Sequence, residues 1–313
     1  MKLATFHADD ATALGAVVDG KIYDLNAASH GTLPDDMLAF IQQGESALRR
    51  AQEIMVKPPA SAARPLESVR LLAPLPAPPS LRDFFAFADH ARAAAERSGA
   101  ALPEQWHDLP ACFKGNHREI YGPEEEIPWP HYTRRFDFEC EIACVIGKRG
   151  RDISPQQAAE HIFGYTIFND FSARDIQKKE MLLGMGPAKS KDFANSFGPC
   201  LVTADEAVPS RDFSMTVRVN GEQWSAGHSR DQYWSFPLLV SHASQCETVH
   251  PGDILGSGTF YGGCGLDLGR WLRPGDDIEL EVPGIGVLRN TVGTPDAAHQ
   301  RELNYRKHPA AKP

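Results

Sequence analysis

Residues 135–147 read RFDFECEIACVIG, and the alternation of residue types predicts a β-strand over 136–146. Side chains alternate between the two faces of a strand, so one face would carry the apolar residues Phe136, Phe138, Cys140, Ile142 and Cys144. The other face would carry Glu139 and Glu141, with Asp137 beside them, followed by two apolar residues. Because this second face ends in apolar residues, we expect the strand to be covered on both sides.

Glu139 and Glu141 would lie close together on this covered strand. Two such carboxylates repel each other and lose hydration, so one would be protonated or a cation would neutralise the pair. Ligands that offer only oxygen favour a hard ion, which makes Mg²⁺ or Ca²⁺ the expected metal and Mn²⁺ a further candidate. The alternative is an edge strand whose acids face water, and the strand alone leaves both interpretations open.

Length and composition set broad limits on the class of protein. The chain has 313 residues, 42% of them hydrophobic, which suits a globular protein of one large or two smaller domains. Its formal net charge of -9 argues against a nucleic-acid-binding surface. We find neither a signal-peptide pattern nor the roughly 18–20 apolar residues of a membrane span. The six cysteines form no CxxC pair, so we expect reduced thiols in a cytoplasmic protein.

The organisation of the chain changes near its proline-rich stretch at 74–79. Residues 1–71 predict a small N-terminal αβ domain, with a hairpin over 14–23 and helical periodicity over 37–56. Residues 72–313 predict a larger domain. The proline-rich stretch would be an extended linker, or alternatively an ordered segment leading into the next strand.

The larger domain is expected to be rich in short strands. Helices are predicted at 88–98 and 155–161. Strands are predicted at 164–168, 200–203, 215–219, 258–260, 277–282 and 287–290. This pattern favours an α+β fold built as a mixed β-rich roll, not a βαβ repeat. The polar stretch from about residue 296 is expected to be loosely held.

Several polar residues outside the first strand are ambiguous when taken one by one. Asp170 ends a strand and Asp83 precedes a helix, so each could be a metal ligand or a helix N-cap. His90 lies near a helix start, where a histidine is usually solvated, and Lys189 lies in a Gly/Pro-rich loop, where a lysine is usually a surface charge. Asp267 is flanked by leucines and could be buried.

Together, the segments from residue 83 to about 292 resemble the fumarylacetoacetate hydrolase family. The most specific match is NDFSARDIQ at 169–177, which is similar to the family signature Asn-Asp-(Trp/Phe)-Ser-Ala-Arg-Asp-x-Gln. The Glu-x-Glu of the strand resembles the family's metal pair, residues 188–190 resemble its lysine loop, and residues 258–259 resemble its Gly-Thr turn. The short N-terminal unit resembles the bacterial branch, which contains acylpyruvate hydrolases, oxaloacetate decarboxylases, and isomerases or decarboxylases of 2-oxo-heptenedioates.

The resemblance implies a metal centre and a catalytic base. It implies a divalent cation, Mg²⁺, Ca²⁺ or Mn²⁺, held by Glu139, Glu141 and Asp170, with Asp83 as a fourth ligand. His90, seven residues after Asp83, corresponds to the catalytic base of the hydrolase branch.

The resemblance also implies roles for residues around that centre. Asp267 stands where the family has a glutamate that orients the histidine, so the acid is shortened here. Lys189 would be catalytic, and Arg174, Gln177 and Thr259 match residues close to the substrate or the metal. Three tyrosines that line the hydrolase's substrate site are replaced here by Phe85, Phe113 and Met181.

The implied activity is metal-dependent hydrolysis of a C–C bond in a 2,4-dioxo acid of the β-diketone or acylpyruvate type, in aromatic-compound catabolism. The alternative is a decarboxylase or isomerase of a 2-oxo dicarboxylate, such as oxaloacetate or a 2-oxo-heptenedioate. A third possibility is a catalytically idle metal-binding domain. The expected partners are a small dioxo-acid substrate and a second copy of the chain in a homodimer, with no nucleic acid and no membrane.

Overall fold

The computed structural model describes residues 1–207, 212–296 and 303, and most of its regular structure is β-sheet. The segment expected to be loosely held from about residue 296 lies largely outside the described residues. The described strands are β1 Lys2–Ala8, β2 Ala11–Val18, β3 Lys21–Asp24, β4 Ala63–Pro65, β5 Arg70–Leu71, β6 Leu81–Phe84, β7 Cys112–Lys114, β8 Ile120–Tyr121, β9 Glu126–Ile127, β10 Phe136–Asp137, β11 Cys140–Ile146, β12 Gly150–Arg151, β13 Ile162–Asp170, β14 Ser172–Ala173, β15 Asn195–Thr203, β16 Ser214–Val219, β17 Glu222–His228, β18 Thr248–Val249, β19 Ile254–Gly256, β20 Asp277–Val282 and β21 Gly286–Val292.

The described helices are short, and they lie around the sheets. They are α1 Leu25–Ala28, α2 Met37–Gln43, α3 Glu45–Val56, α4 Ala88–Arg97, α5 Pro155–Ala158, α6 Arg174–Met181, α7 Phe236–Ser244 and α8 Gly265–Leu268. Short 3₁₀ turns occur at Ala60–Ala62, Leu66–Ser68, Glu104–His107, Ala159–His161 and Ser229–Asp231. None of the helices in the described part of the chain is both long and apolar enough to cross a membrane.

Two main sheets form the body of the protein. The central sheet runs in the order β4-β3-β2-β1-β15-β13-β11-β19-β6-β7, with β5 beside β1 and β8 beside β15. The second sheet runs in the order β17-β16-β20-β21-β9. Most pairs are antiparallel, but β19 with β6, β15 with β8 and β21 with β9 are parallel. The predicted mixed, β-rich α+β fold is therefore confirmed.

Strand β11 lies at the centre of the fold and is buried on both faces. On one face, Ile142 belongs to a core shared with Val217 and Leu280 of the second sheet. On the other face, Val145 belongs to a core shared with Phe40 of α2. The expectation that this strand is covered on both sides is confirmed, so its acidic residues do not lie on a solvated edge.

The predicted strand over 136–146 is nevertheless interrupted. Its first part, β10, pairs with β14, whereas β11 pairs with β13 and β19. Between the two parts, Glu139 forms a single bridge with Cys264, and its N–H donates to the side-chain oxygen of Asn169 at 3.1 Å. The backbone thus leaves the regular ladder at Glu139.

Two further predictions need correction. The predicted strand at 258–260 is a loop, because Gly258 adopts a φ of 73°, which is left-handed and incompatible with a strand. The helical periodicity over 37–56 corresponds to two helices, α2 and α3, which are separated by Gly44. The predicted hairpin over 14–23 and the helix over 88–98 are confirmed as β2–β3 and α4.

The first seventy residues contribute strands to the central sheet. β1 pairs antiparallel with β15, and β2, β3 and β4 extend the sheet outward from β1. The division into domains 1–71 and 72–313 stays a prediction.

Candidate active site

Four carboxylates converge where β6, β11 and β13 lie close together in the central sheet. They are Asp83, Glu139, Glu141 and Asp170, and we call them the acidic cluster. One oxygen from each lies within 4.8 Å of the others, and all four residues are buried. The three strands bring together residues that lie far apart in the sequence.

The pairing register explains why these carboxylates meet. Cys140 lies opposite Asn169 in the β11–β13 pair, so the neighbouring residues Glu139 and Asp170 face each other, and the N–H of Asp170 bonds to the carbonyl of Glu139. Glu141 follows two residues later and therefore points to the same face. Its predicted face-sharing with Glu139 is confirmed.

Glycines allow the last carboxylate to approach. Asp83 on β6 lies opposite Gly256 on β19, and a Cβ atom at Gly256 would stand 2.4 Å from the Asp83 Oδ1 atom. The N–H of Gly258 donates to Glu141 Oε2 at 2.8 Å and to Asp83 Oδ1 at 3.2 Å. The residue pattern predicted a strand at 258–260, and the resemblance to a Gly-Thr turn did not identify the Gly258 amide as a group of the site.

Burial and mutual repulsion set the protonation of the acidic cluster. Burial raises the pKa of Asp83 to about 6 and raises the pKa values of Glu141 and Asp170 well above their ordinary range. Glu139 behaves in the opposite way: burial would raise its pKa, but the charges of Lys191 and Arg174 outweigh burial and lower it. Glu139 therefore ionises most readily, and the other three carboxyls keep their protons to higher pH than free carboxyls do.

Two oxygens of the acidic cluster have no hydrogen-bond partner among the residues that the structure describes. Glu141 Oε1 and Asp170 Oδ1 are both buried and unpaired. An unpaired buried carboxylate oxygen is costly, and such exceptions call for an ion or another group. The donor set consists only of carboxylate oxygens, which hard divalent cations prefer. The acidic cluster therefore fits a divalent cation.

Arg174 links one side of the acidic cluster, through Asp137, to the first residue of α8. Its Nε donates to Asp137 Oδ2 and its Nη2 to Glu139 Oε1, both at 2.7 Å, while its Nη1 donates to Gln177 Oε1 at 2.9 Å. Asp137 also accepts from the N–H of Gly265 at 2.8 Å. The guanidinium is buried and engaged by protein groups on all three nitrogens, so it organises the ligands. The role of Arg174 and Gln177 in substrate binding stays a prediction.

Two lysines of one loop have different surroundings. The amine of Lys191 is buried and donates to Glu139 Oε2 at 2.6 Å and to Asp170 Oδ2. The amine of Lys189 lies 5.6 Å from the ring centre of Tyr132, and its side chain is exposed. The structure brings Lys191 into the acidic cluster, and the predicted catalytic role of Lys189 stays a prediction. The sequence signal for Lys191 was its position in the same loop, two residues further on.

His90 forms a buried pair with Asp267. Nδ1 of His90 lies 2.7 Å from Asp267 Oδ2, and an ionised carboxylate can only accept, so Nδ1 carries the proton and Nε2 is left as the acceptor. Burial raises the pKa of Asp267, but its hydrogen bond with His90 and nearby positive charge lower it overall. The shortened acid thus reaches the histidine, and the helix through His90 points the ring into the protein.

Cys264 connects the pair to the acidic cluster. Its sulfur lies within 4.8 Å of ligand atoms of His90 and Asp267, and its backbone bridges Glu139. The six cysteines are all free, and Cys264 is buried with its pKa raised by burial, which is typical of a structural thiol.

The remaining predicted site residues line or support this region. The ring of Phe85 contacts the ring of His90 edge to face at 5.3 Å, and the ring of Phe113 lies 5.9 Å from the Lys191 amine. Thr259 is buried and donates its hydroxyl to the carbonyl of Cys140 at 3.0 Å. Phenyl rings therefore flank both the His90–Asp267 pair and the acidic cluster, and the Thr259 hydroxyl holds the loop at 258–260 against β11.

Comparison with known proteins agrees with this geometry. The model of the fumarylacetoacetate hydrolase C-terminal family matches residues 80–293. The chain is 33% identical over 311 residues to the oxaloacetate tautomerase YisK of Bacillus subtilis (strain 168), covering 94% of this chain and 100% of that protein.

Two solved structures share the architecture over nearly their whole length. One is the fumarylacetoacetate hydrolase of the psychrophile Exiguobacterium antarcticum, at 29% identity and a TM-score of 0.76, covering 94% of this chain and 99% of that one. The other is a 5-carboxymethyl-2-hydroxymuconate delta-isomerase from Mycobacterium smegmatis, at 26% identity and a TM-score of 0.70, with the same coverage of 94% and 99%.

A mixed β-roll with a buried, oxygen-only cluster beside a histidine–aspartate pair defines the class as an enzyme with a divalent-cation site. Within that class, the chain belongs to the fumarylacetoacetate hydrolase family, and the resemblance of residues 169–177 is confirmed. Its similar proteins include a tautomerase, an isomerase and a hydrolase, so the family alone does not assign the hydrolase reaction.

Proposed function

We propose that this enzyme catalyses the metal-dependent keto–enol tautomerisation of a 2-oxo dicarboxylate of the oxaloacetate type. The single observation that carries the proposal is the acidic cluster, with its two unpaired oxygens, lying next to the buried His90–Asp267 pair. The identity of 33% over the full length of an oxaloacetate tautomerase supports this isomerase over hydrolysis.

The acidic cluster would hold the cation, for which Mg²⁺ is our proposal and Mn²⁺ or Ca²⁺ the substitutes. A bound divalent cation would supply a site for the substrate's carboxylate and 2-oxo oxygens and would polarise the carbonyl. Lys191 would add a second positive charge next to those oxygens, at a point where the site excludes water.

His90 would move the proton. Its Nε2, left as the acceptor by the Nδ1–Asp267 bond, would take a proton from the carbon next to the 2-oxo group and return it to the carbonyl oxygen. The C–H bond and the π bond of the carbonyl break while a C=C bond and an O–H bond form, so no atom is gained or lost. Asp267 would stabilise the imidazolium while it exists, because it lies 2.7 Å from Nδ1.

The test follows the enol absorbance of oxaloacetate in the presence of Mg²⁺, with the uncatalysed rate subtracted. We expect EDTA to abolish catalysis and His90→Gln to lower kcat by roughly a hundredfold or more. Isothermal titration should show that His90→Gln still binds the metal, whereas Glu141→Gln should bind it poorly. His250→Gln, which changes an exposed histidine, is the matched control. Retention of more than about a third of kcat in His90→Gln, far outside the general-base range, would remove the proposed proton carrier.

A second candidate is hydrolysis of the C–C bond in an acylpyruvate. It is favoured by the same His90–Asp267 pair, which could deprotonate a water molecule, and by the similarity to the Exiguobacterium antarcticum hydrolase. The discriminating measurement is pyruvate release from acetylpyruvate under the same conditions. Pyruvate release with a larger kcat/KM than oxaloacetate tautomerisation would favour hydrolysis over our first proposal.

A further inference from the structure

Helix α4 presents two residues to the same buried carboxylate. His90 and Arg97 are seven residues apart, which is close to two helical turns, so their side chains project from one face of the helix. Both contact Asp267, which lies on the distant helix α8. The two side chains of this His-x₆-Arg pattern thus bind the same carboxylate, that of Asp267.

Every oxygen of Asp267 is occupied by this arrangement. Oδ2 accepts from His90 Nδ1 at 2.7 Å and from the N–H of Gly262 at 2.9 Å, whereas Oδ1 accepts from Arg97 Nη1 at 2.7 Å. The side chain of Asp267 has no exposed surface, and that of Arg97 is 33% exposed. With both oxygens held from different directions, the carboxylate cannot rotate without breaking a hydrogen bond.

We propose that Arg97 is a positioning residue for proton transfer, because it fixes the Asp267 carboxylate and thereby holds His90 in the tautomer whose Nε2 is free. The inference rests on the proposed function. Aspartate is one methylene shorter than the glutamate that the family resemblance implies at this position. The short acid makes its contact with the histidine only from one placement of its carboxylate, and Arg97 maintains that placement.

The charged surroundings of the pair support this role. Asp267 faces His90 and Arg97, with the Cys264 thiol nearby, and the backbone of Cys264 bridges Glu139 of the acidic cluster. Arg97 opposes the cost of burying the Asp267 charge, which burial alone would disfavour. Arg97 itself contacts neither the acidic cluster nor its lysine in any hydrogen bond of the described residues.

A second arginine on the same helix provides a matched comparison. Arg92 pairs with Asp89 at 2.6 Å, but the side chains are 52% and 75% exposed. Exposed pairs of this kind contribute roughly 0–1 kcal/mol and constrain little. Arg92 and Arg97 therefore share residue type and helix, and differ in whether the partner is buried against His90.

The experiment compares Arg97→Ala, Arg97→Lys and Arg92→Ala in the metal-loaded protein. The readouts are the ¹⁵N chemical shifts of the His90 ring, assigned by their loss in His90→Gln, and the steady-state constants for oxaloacetate. We expect Arg97→Ala to shift the ring nitrogens toward a mixture of tautomers and to lower kcat by about tenfold with little change in KM. Arg97→Lys should restore much of both, and Arg92→Ala should match the parent protein.

Several results would overturn the inference. Arg97→Ala could match Arg92→Ala in its ring shifts, or it could lose kcat while the ring shifts stay unchanged. If Arg97→Ala does not fold, Arg97→Met carries the test, since it keeps an unbranched side chain but has no donor for Asp267, and ring shifts equal to those of the parent would overturn the inference. The ¹⁵N shifts of the His90 ring are measured without turnover. Full activity in His90→Gln would therefore reject His90 as the proton carrier, but it would leave the positioning role of Arg97 to be decided by the ring shifts.

Discussion

Lys191 and Lys189 show how two identical side chains in one loop can have different energetic roles. Lys191 lies buried between Glu139 and Asp170; burial lowers its pKa, but the negative charges of Asp170 and Glu139 outweigh burial and raise it. Lys189 is exposed beside Tyr132. Removing one partner of a buried ion pair leaves uncompensated charge, whereas removing an exposed charge leaves little behind.

We therefore predict that Lys191→Met lowers the free energy of unfolding of the metal-free protein by roughly 3–5 kcal/mol. Lys189→Met should change it by less than about 0.5 kcal/mol. Urea unfolding in EDTA measures both values. Equal effects of the two substitutions would contradict the assignment of Lys191 to the acidic cluster.

The acidic cluster forms because the backbones of adjacent strands lie close together. β11, β19 and β6 are neighbours in the central sheet, and the absence of a side chain at Gly256 leaves room for the Asp83 carboxylate. A Cβ atom there would also lie 3.0 Å from the ring of Phe168, which is packed in the core behind the strand pair. The glycine thus matters for both the site and the packing.

We predict that Gly256→Ala weakens metal binding by tenfold or more, although it removes no ligand. The added methyl must displace Asp83 or Phe168, and overpacking of this kind costs typically about 1–3 kcal/mol. Isothermal titration with Mg²⁺ and thermal unfolding measure the two effects. A variant that is destabilised but binds the metal with unchanged affinity would show that Asp83 is not held where the cation needs it.

The stability of the whole molecule should depend on pH through the acidic cluster. Burial raises the pKa of Asp83 from 3.8 to about 6, so between these values the folded protein binds more protons than the unfolded chain. Stability then falls as pH rises through this window, by up to roughly 3 kcal/mol. The raised pKa values of Glu141 and Asp170 act in the same direction, and the lowered pKa of Glu139 acts oppositely below its ordinary 4.5.

We predict that the Tm of the EDTA-treated protein falls between about pH 4.5 and 7, and that saturating Mg²⁺ removes this fall because it binds the ionised carboxylates. Glu141→Gln should flatten the profile in EDTA, since it removes one of the repelling groups. Scanning calorimetry over this range provides the measurement. A Tm that rises steadily with pH in EDTA would contradict the repulsion inferred for the acidic cluster.

At the scale of the whole molecule, the homodimer stays a prediction. An exposed apolar run begins at the last residue of α6 and consists of Met181, Leu182, Leu183 and Met185, whose exposed fractions range from 56% to 87%. It links α6, which carries Arg174, to the loop of Lys191.

Local sequence patterns were sufficient to predict much of the fold and several of the candidate ligands. The alternation in residues 136–146 placed Glu139 and Glu141 on one face, and the turn and helix signals located β2–β3 and α4. Such features depend on neighbours within a few residues, where side-chain period and turn chemistry act directly. The break at Glu139 and the loop at Gly258 were not predicted, because long-range hydrogen bonds impose them. The N–H of Glu139 donates to Asn169, and the N–H of Gly258 donates to Asp83 and Glu141.

The sequence by itself therefore determined a mixed β-rich protein with two glutamates on one buried face, and its motifs indicated which acids and which histidine to examine. Only the tertiary structure decided that Lys191, not Lys189, lies among the carboxylates, and that Arg97 reaches Asp267 across 170 positions of sequence. The physical reason is that side-chain partners in a buried site are chosen by sheet register and helix packing. These bring distant segments within hydrogen-bond distance, and no local periodicity encodes that proximity.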